Sequence, residues 1–68
     1  MINSQKIKER AKECGVSQKQ LADAIGIKQS SLNLKINNNR PMHLDEAEVI
    51  ARQLQIDNAA FGDYFFAT

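Results

Sequence analysis

Apolar side chains along this chain recur at helical intervals, and no segment alternates apolar with polar at the period of two that a half-buried strand requires. Gly15, Gly26 and the run Asn37-Asn38-Asn39-Arg40-Pro41 divide the pattern into four segments. In the first, from about Ser4 to Glu13, Ile7 and Ala11 continue to Cys14 as one stripe at i, i+4, i+7, with Lys6, Lys8, Glu9 and Arg10 off it. Asn3 or Ser4 can cap its start, and Gly15 supplies the left-handed residue that stops it. Cys14 lies on the stripe and reads as a small buried hydrophobe rather than a reactive thiol.

The second segment opens on Ser17-Gln18-Lys19-Gln20, where a Ser followed three residues later by Gln has the spacing of a capping box. Leu21, Ala22 and Ile25 form its inward face, and Gly26 ends it. A helix so short is unstable alone and must lie against neighbours. The third segment, Gln29 through Asn37, carries Leu32 and Ile36 four apart amid polar residues. Successive asparagines end it, because they tolerate left-handed backbone, and Pro41 blocks continuation. The fourth, about Leu44 to Gln55, sets Ala47, Ile50, Ala51 and Leu54 on one stripe, with Asp45, Glu46 and Glu48 where they complement the helix dipole. His43 stands at the cap position as an imperfect cap or a solvent residue. The remainder holds Phe61, Tyr64, Phe65 and Phe66, all the aromatics of the chain, and one short helical turn is expected near Asp57 or Asn58.

These elements predict an all-α fold, a four- to five-helix bundle in a single domain over 1–68, with a C-terminal helix and aromatic tail over 44–68. Sixty-eight residues bury only a limited core, which makes a partner subunit an expectation from size alone. The net charge of +1 conceals an asymmetry: residues 1–40 carry +5 and residues 41–68 carry −4. A basic half beside an acidic half points to a polyanion-binding face with a separate, non-binding end. No run of apolar residues is long enough to span a membrane, and the polar, charged start has no signal-peptide pattern, so a cytoplasmic protein is expected. One Cys and one His on different segments leave no metal site, cofactor or catalytic pairing to expect, and no glycine-rich loop cradles a phosphate; neither an enzyme nor a small-molecule substrate is expected.

Segments two and three are the informative pair. A short capped helix, a glycine-containing turn and a second short helix with a polar outer face make a helix-turn-helix over about 17–37. Ala22 must be small because the next helix crosses close above it, Gly26 lets the chain turn, and Leu32 fills the gap between the helices. That arrangement leaves the start of the third helix free to enter a DNA major groove about 12 Å wide.

The stretch from Ser17-Gln18-Lys19-Gln20-Leu21-Ala22 through Gly26-Ile27-Lys28-Gln29-Ser30-Ser31-Leu32-Asn33 resembles the lambda-repressor-like, Cro/C1-type helix-turn-helix family, and its second half is especially similar to phage Cro proteins. Lys35-Ile36-Asn37, Glu46, Ile50, Leu54 and Phe65-Phe66 look like small phage repressor-like proteins. The resemblance covers roughly 4–56 and is most specific over 17–37. It implies operator binding as a homodimer, in transcriptional regulation by a phage or prophage in its bacterial host. By position it implies that Gln29 reads adenine through its paired amide donor and acceptor, and that Ser30 and Asn33 read neighbouring bases. Gln18 would bond a phosphate and brace the recognition helix, while Ser17, Lys19, Lys28, Ser31, Asn38, Asn39 and Arg40 would serve the DNA backbone.

Two positions depart from the family pattern. Leu34 stands where Cro has a base-reading cation, and either packs a thymine methyl or faces protein. Lys35 occupies a site that is usually apolar, so its stem is expected to run outward while Ile36 supplies the packing. The aromatics Phe61, Tyr64, Phe65 and Phe66 either close the bottom of the bundle or form the dimer interface. The alternative to a DNA-binding regulator is an antirepressor, a protein-interaction module built on the same scaffold.

Overall fold

The computed structural model describes residues 1–66, which form five helices: α1 (Ser4–Cys14), α2 (Gln18–Ile25), α3 (Gln29–Ile36), α4 (Leu44–Gln53) and α5 (Asn58–Phe65). The last two residues of the expected 44–68 segment lie outside the described residues. No strand occurs among those described, and the all-α bundle is the fold.

Each helix is delimited by the chemistry of its ends. The Asn3 side chain accepts from the Lys6 N–H at 3.1 Å and caps α1. Ser17 and Gln20 form the reciprocal box on α2: the Gln20 N–H donates to Ser17 Oγ at 3.1 Å, and the Ser17 N–H donates to Gln20 Oε1 at 2.7 Å. Gly15 (φ 69°) and Gly26 (φ 88°) end α1 and α2 in left-handed backbone, which costs a residue with a Cβ but not glycine. The sequence also sets an end in the asparagine run, where Asn38 takes φ 64°.

One core holds the helices together. Ile7 and Ala11 of α1, Leu21 and Ala22 of α2, Leu32 and Ile36 of α3, Ala47, Ile50 and Ala51 of α4, then Leu54, Ile2 and Phe65 are all buried. Leu21, Leu32, Ile50 and Leu54 are wholly inaccessible; burial of side chains of this size stabilises the fold by about 1.5–3 kcal/mol each. Helix α2 is the hub, packing on both α3 and α4, while α1 packs on α5. Arg10 ties α1 to the end of α4, its Nε donating to the Leu54 carbonyl at 2.9 Å and its Nη2 to that of Gln55 at 3.3 Å. Cys14 is half-buried beside the same Leu54 carbonyl, a packing role close to the one expected of it.

The C-terminal region differs from expectation. In place of a single helical turn, α5 runs for 8 residues, capped by Asp57 Oδ1 accepting from the Ala60 N–H at 2.9 Å. Phe61 and Phe65, one turn apart, stack with ring centroids 4.6 Å apart. Phe65 is buried against this chain's own core, Phe61 and Tyr64 are half-buried, and Phe66 is 62% exposed. The Asn3 N–H donates to the Tyr64 carbonyl at 2.9 Å and joins the start of the chain to α5.

Candidate nucleic-acid interface

The turn between α2 and α3 is three residues long and held from behind. The N–H groups of Gly26 and Ile27 both donate to the Ala22 carbonyl, at 2.8 and 3.0 Å. Ala22 itself is 1% exposed, so a larger side chain there has no space to occupy. Leu32 and Ile36 anchor α3 from below. The opposite face, with Gln29, Ser30 and Asn33, is exposed. Ser31 and Leu34 sit half-buried at the flanks of that face. Lys28 occupies the N-cap of α3 without a side-chain cap bond, leaving first-turn N–H groups for an outside acceptor.

Cations flank α2 and α3 in the sequence. Lys19, Lys28 and Arg40 are exposed, and none joins an ion pair among the described residues, where the pairs are Arg10–Glu13 and Lys35–Glu46. Ser17 is exposed with its oxygen engaged in the capping box. Gln18 is half-buried over a shallow depression floored by Ile7, Ala11, Leu21 and Ile36; among the described residues no hydrogen bond joins it to Gln29.

Two residues are placed otherwise than the sequence implied. Lys35 does not run outward: it is 8% exposed, and its Nζ meets Glu46 Oε2 at 2.5 Å. The same carboxylate accepts from the His43 N–H at the start of α4, at 2.9 Å, so a buried ion pair joins α3 to the α4 cap. Burial works against ionisation of Glu46, but the Lys35 ammonium and the His43 N–H outweigh it and hold the carboxyl below its ordinary pKa. Asn38 is the second correction. Its Oδ1 accepts from the Ile2 N–H and its Nδ2 donates to the Ile2 carbonyl, both at 2.9 Å, so the amide pins the N-terminus, with one N–H of Nδ2 left for another acceptor.

Three side chains outside the expected set stand at the border of this face. Lys8 and Lys12, exposed on α1, line the same shallow depression as Gln18, and Lys8 reaches Asn37 at the end of α3. The signal for Asn37 was its spacing of four from Asn33, which the helix-stop reading of the asparagine run overshadowed.

A family model described as Helix-turn-helix matches residues 7–57, the span from the first core residue of α1 to the cap of α5. The chain belongs to the Cro/C1-type helix-turn-helix family. Searches of curated proteins and of solved structures each gave no match. The family is one of DNA-binding proteins, and this helix-turn-helix chain is a DNA-binding regulator in that general sense. No helix among the described residues is long and apolar enough to cross a membrane.

Proposed function

We propose that this helix-turn-helix protein is a sequence-specific transcriptional regulator of the phage repressor or Cro kind, reading a palindromic operator in double-stranded DNA as a homodimer in the bacterial cytoplasm. The observation that carries the reading is the exposed stripe Gln29, Ser30, Asn33 on a helix otherwise anchored by Leu32, Lys35 and Ile36. A helix about 10–12 Å across fits a major groove about 12 Å wide. Gln29, Ser30 and Asn33 read base edges there, and Leu34 reaches a thymine methyl from the flank. Ser17, Gln18, Lys19, Lys28, Ser31, Asn39 and Arg40 contact the backbone, where they set register without reading sequence. The protein carries out no catalysis and takes no cofactor or small-molecule substrate.

The homodimer rests on a second feature. Met1, Leu44 and Phe66 are the exposed large hydrophobics of the described residues, and all three line one open groove of about 570 Å³ beside the C-terminal end of α3. Arg40 stands on its rim, and the acidic first turn of α4 begins next to Leu44. Two copies meeting across a two-fold axis there would cover these apolar side chains. With molecular extents of 28 × 24 × 20 Å, such a pair can hold its recognition helices about 34 Å apart, one turn of DNA. Selection from a random duplex pool tests the whole reading: a palindromic consensus is expected, and recovery of no consensus refutes it.

A further inference from the structure

A chain of hydrogen bonds runs from α1 to the exposed stripe of α3. Lys8 Nζ donates to Asn37 Oδ1 at 3.1 Å, and Asn37 Nδ2 donates to Asn33 Oδ1 at 3.1 Å. An ammonium has donors only. The Asn37 atom that faces Lys8 must therefore be its oxygen, since the flipped amide would set N–H against N–H. With that oxygen engaged, Asn37 turns its NH₂ toward Asn33, which can meet it only with oxygen. The lysine thus sets the direction of the whole chain, and the group left uncommitted on Asn33 is the donor Nδ2.

The approach of the two helices that permits this is fixed on either side by core residues. Ile7, next to Lys8, and Ile36, next to Asn37, are each 1% exposed in the core. Lys8 and Asn37 lie 29 residues apart in sequence, so their meeting is a product of the fold. Neither ion pair of the described residues involves Lys8, so no carboxylate draws it away from the amide.

We propose that Lys8 is a positioning residue for sequence recognition, which through Asn37 fixes the Asn33 carboxamide as a hydrogen-bond donor toward DNA. The inference rests on the reading of Asn33 as a base-contacting residue. A donor at this position is met by a base edge bearing an acceptor, guanine N7 and O6, thymine O4 or adenine N7, and is rejected by the N4 donor of cytosine.

The test is a quantitative base-preference profile, taken by selection from a random duplex pool, for the parent protein and for Asn33→Ala, Lys8→Met, Lys8→Arg and Lys8→Glu. Asn33→Ala and Lys8→Met are expected to lose at least about fivefold discrimination at one and the same base pair, the lower end of what a mismatch is worth. Lys8→Arg retains donors only and keeps the preference. Lys8→Glu presents an acceptor, reverses both amides and moves preference at that pair toward cytosine. Lys8 and Asn33 are exposed, so urea midpoints near that of the parent are expected for all four. If Asn33→Ala alters one base pair while Lys8→Met only weakens all sequences alike, with a salt slope lower by about one, Lys8 is a phosphate contact and the positioning role is overturned. If Asn33→Ala leaves every preference intact, the base-contacting role of Asn33 fails and this inference fails with it.

Discussion

Replacing Glu46 by Ala removes one partner of the buried pair that joins α3 to α4. Both side chains of the pair are 10% exposed, so the surviving Lys35 ammonium stays largely out of water with no counter-charge. Breaking a buried pair from one side costs about 3–5 kcal/mol. The carboxylate also accepts the His43 N–H, and loss of that hydrogen bond adds about 0.5–1.5 kcal/mol. The long Lys35 stem can recover part of this by turning toward solvent, which brings the expected cost to about 3 kcal/mol. For a domain of this size each kcal/mol lowers Tm by about 4–8 °C, so a fall of about 12–24 °C is expected. Urea and thermal denaturation followed by circular dichroism measure it, in a cycle with Lys35→Met and the double variant Lys35→Met/Glu46→Leu. The double variant is expected within about 1 kcal/mol of the parent or above it, because a packed apolar pair carries no desolvation penalty. Single variants costing less than about 0.5 kcal/mol, the behaviour of an exposed pair, would refute the argument.

The same pair sets an acid limit. Because the Glu46 carboxyl is held below its ordinary pKa of 4.5 in the folded chain, its contribution to stability is present above that value and lost as pH falls through the lowered one; an acid titration of stability should flatten in Glu46→Gln. Ala22→Leu overpacks the crossing of α2 and α3 and is expected to cost about 1–3 kcal/mol or more in urea denaturation. Gln29→Ala should cost about 1–3 kcal/mol on the selected site and relax preference at one base pair, read by competition binding. Lys28→Ala should weaken binding to all sequences alike and reduce the salt slope by about one, read by fluorescence anisotropy across a salt series.

Local signals in the sequence account for the frame of the site. Ser17 and Gln20 lie three apart and form their box wherever the helix starts, and Gly26 marks a left-handed turn because few other residues take φ 88° without strain. Leu32 and Ile36 at a spacing of four suffice to place the buried face of α3, and thereby its exposed one. The misreadings share a cause, which is that the deciding partner is remote. Lys35 looks solvent-facing until Glu46, 11 residues on, supplies its counter-charge. Asn38 looks wholly solvent-facing until the fold brings Ile2, 36 residues away, against both halves of its amide. In α5 the stripe of Phe61 and Phe65 is flanked by Tyr64 and Phe66 and interrupted by Gly62, so its spacing signals one turn where the fold forms two. Sequence spacing reports neighbours on one helix, whereas these residues are decided by neighbours on another.

If the helix-turn-helix reads DNA as proposed, the exposed stripe beginning at Gln29 meets the bases. Amide chemical-shift mapping during titration with the selected duplex tests it most directly. The largest shifts are expected over 28–33 and at Ser17–Lys19, abolished with a scrambled duplex at Gln29 and Asn33 but not at the backbone-contacting lysines. Shifts confined instead to Met1, Leu44 and Phe66, with the start of α3 unmoved, would contradict it.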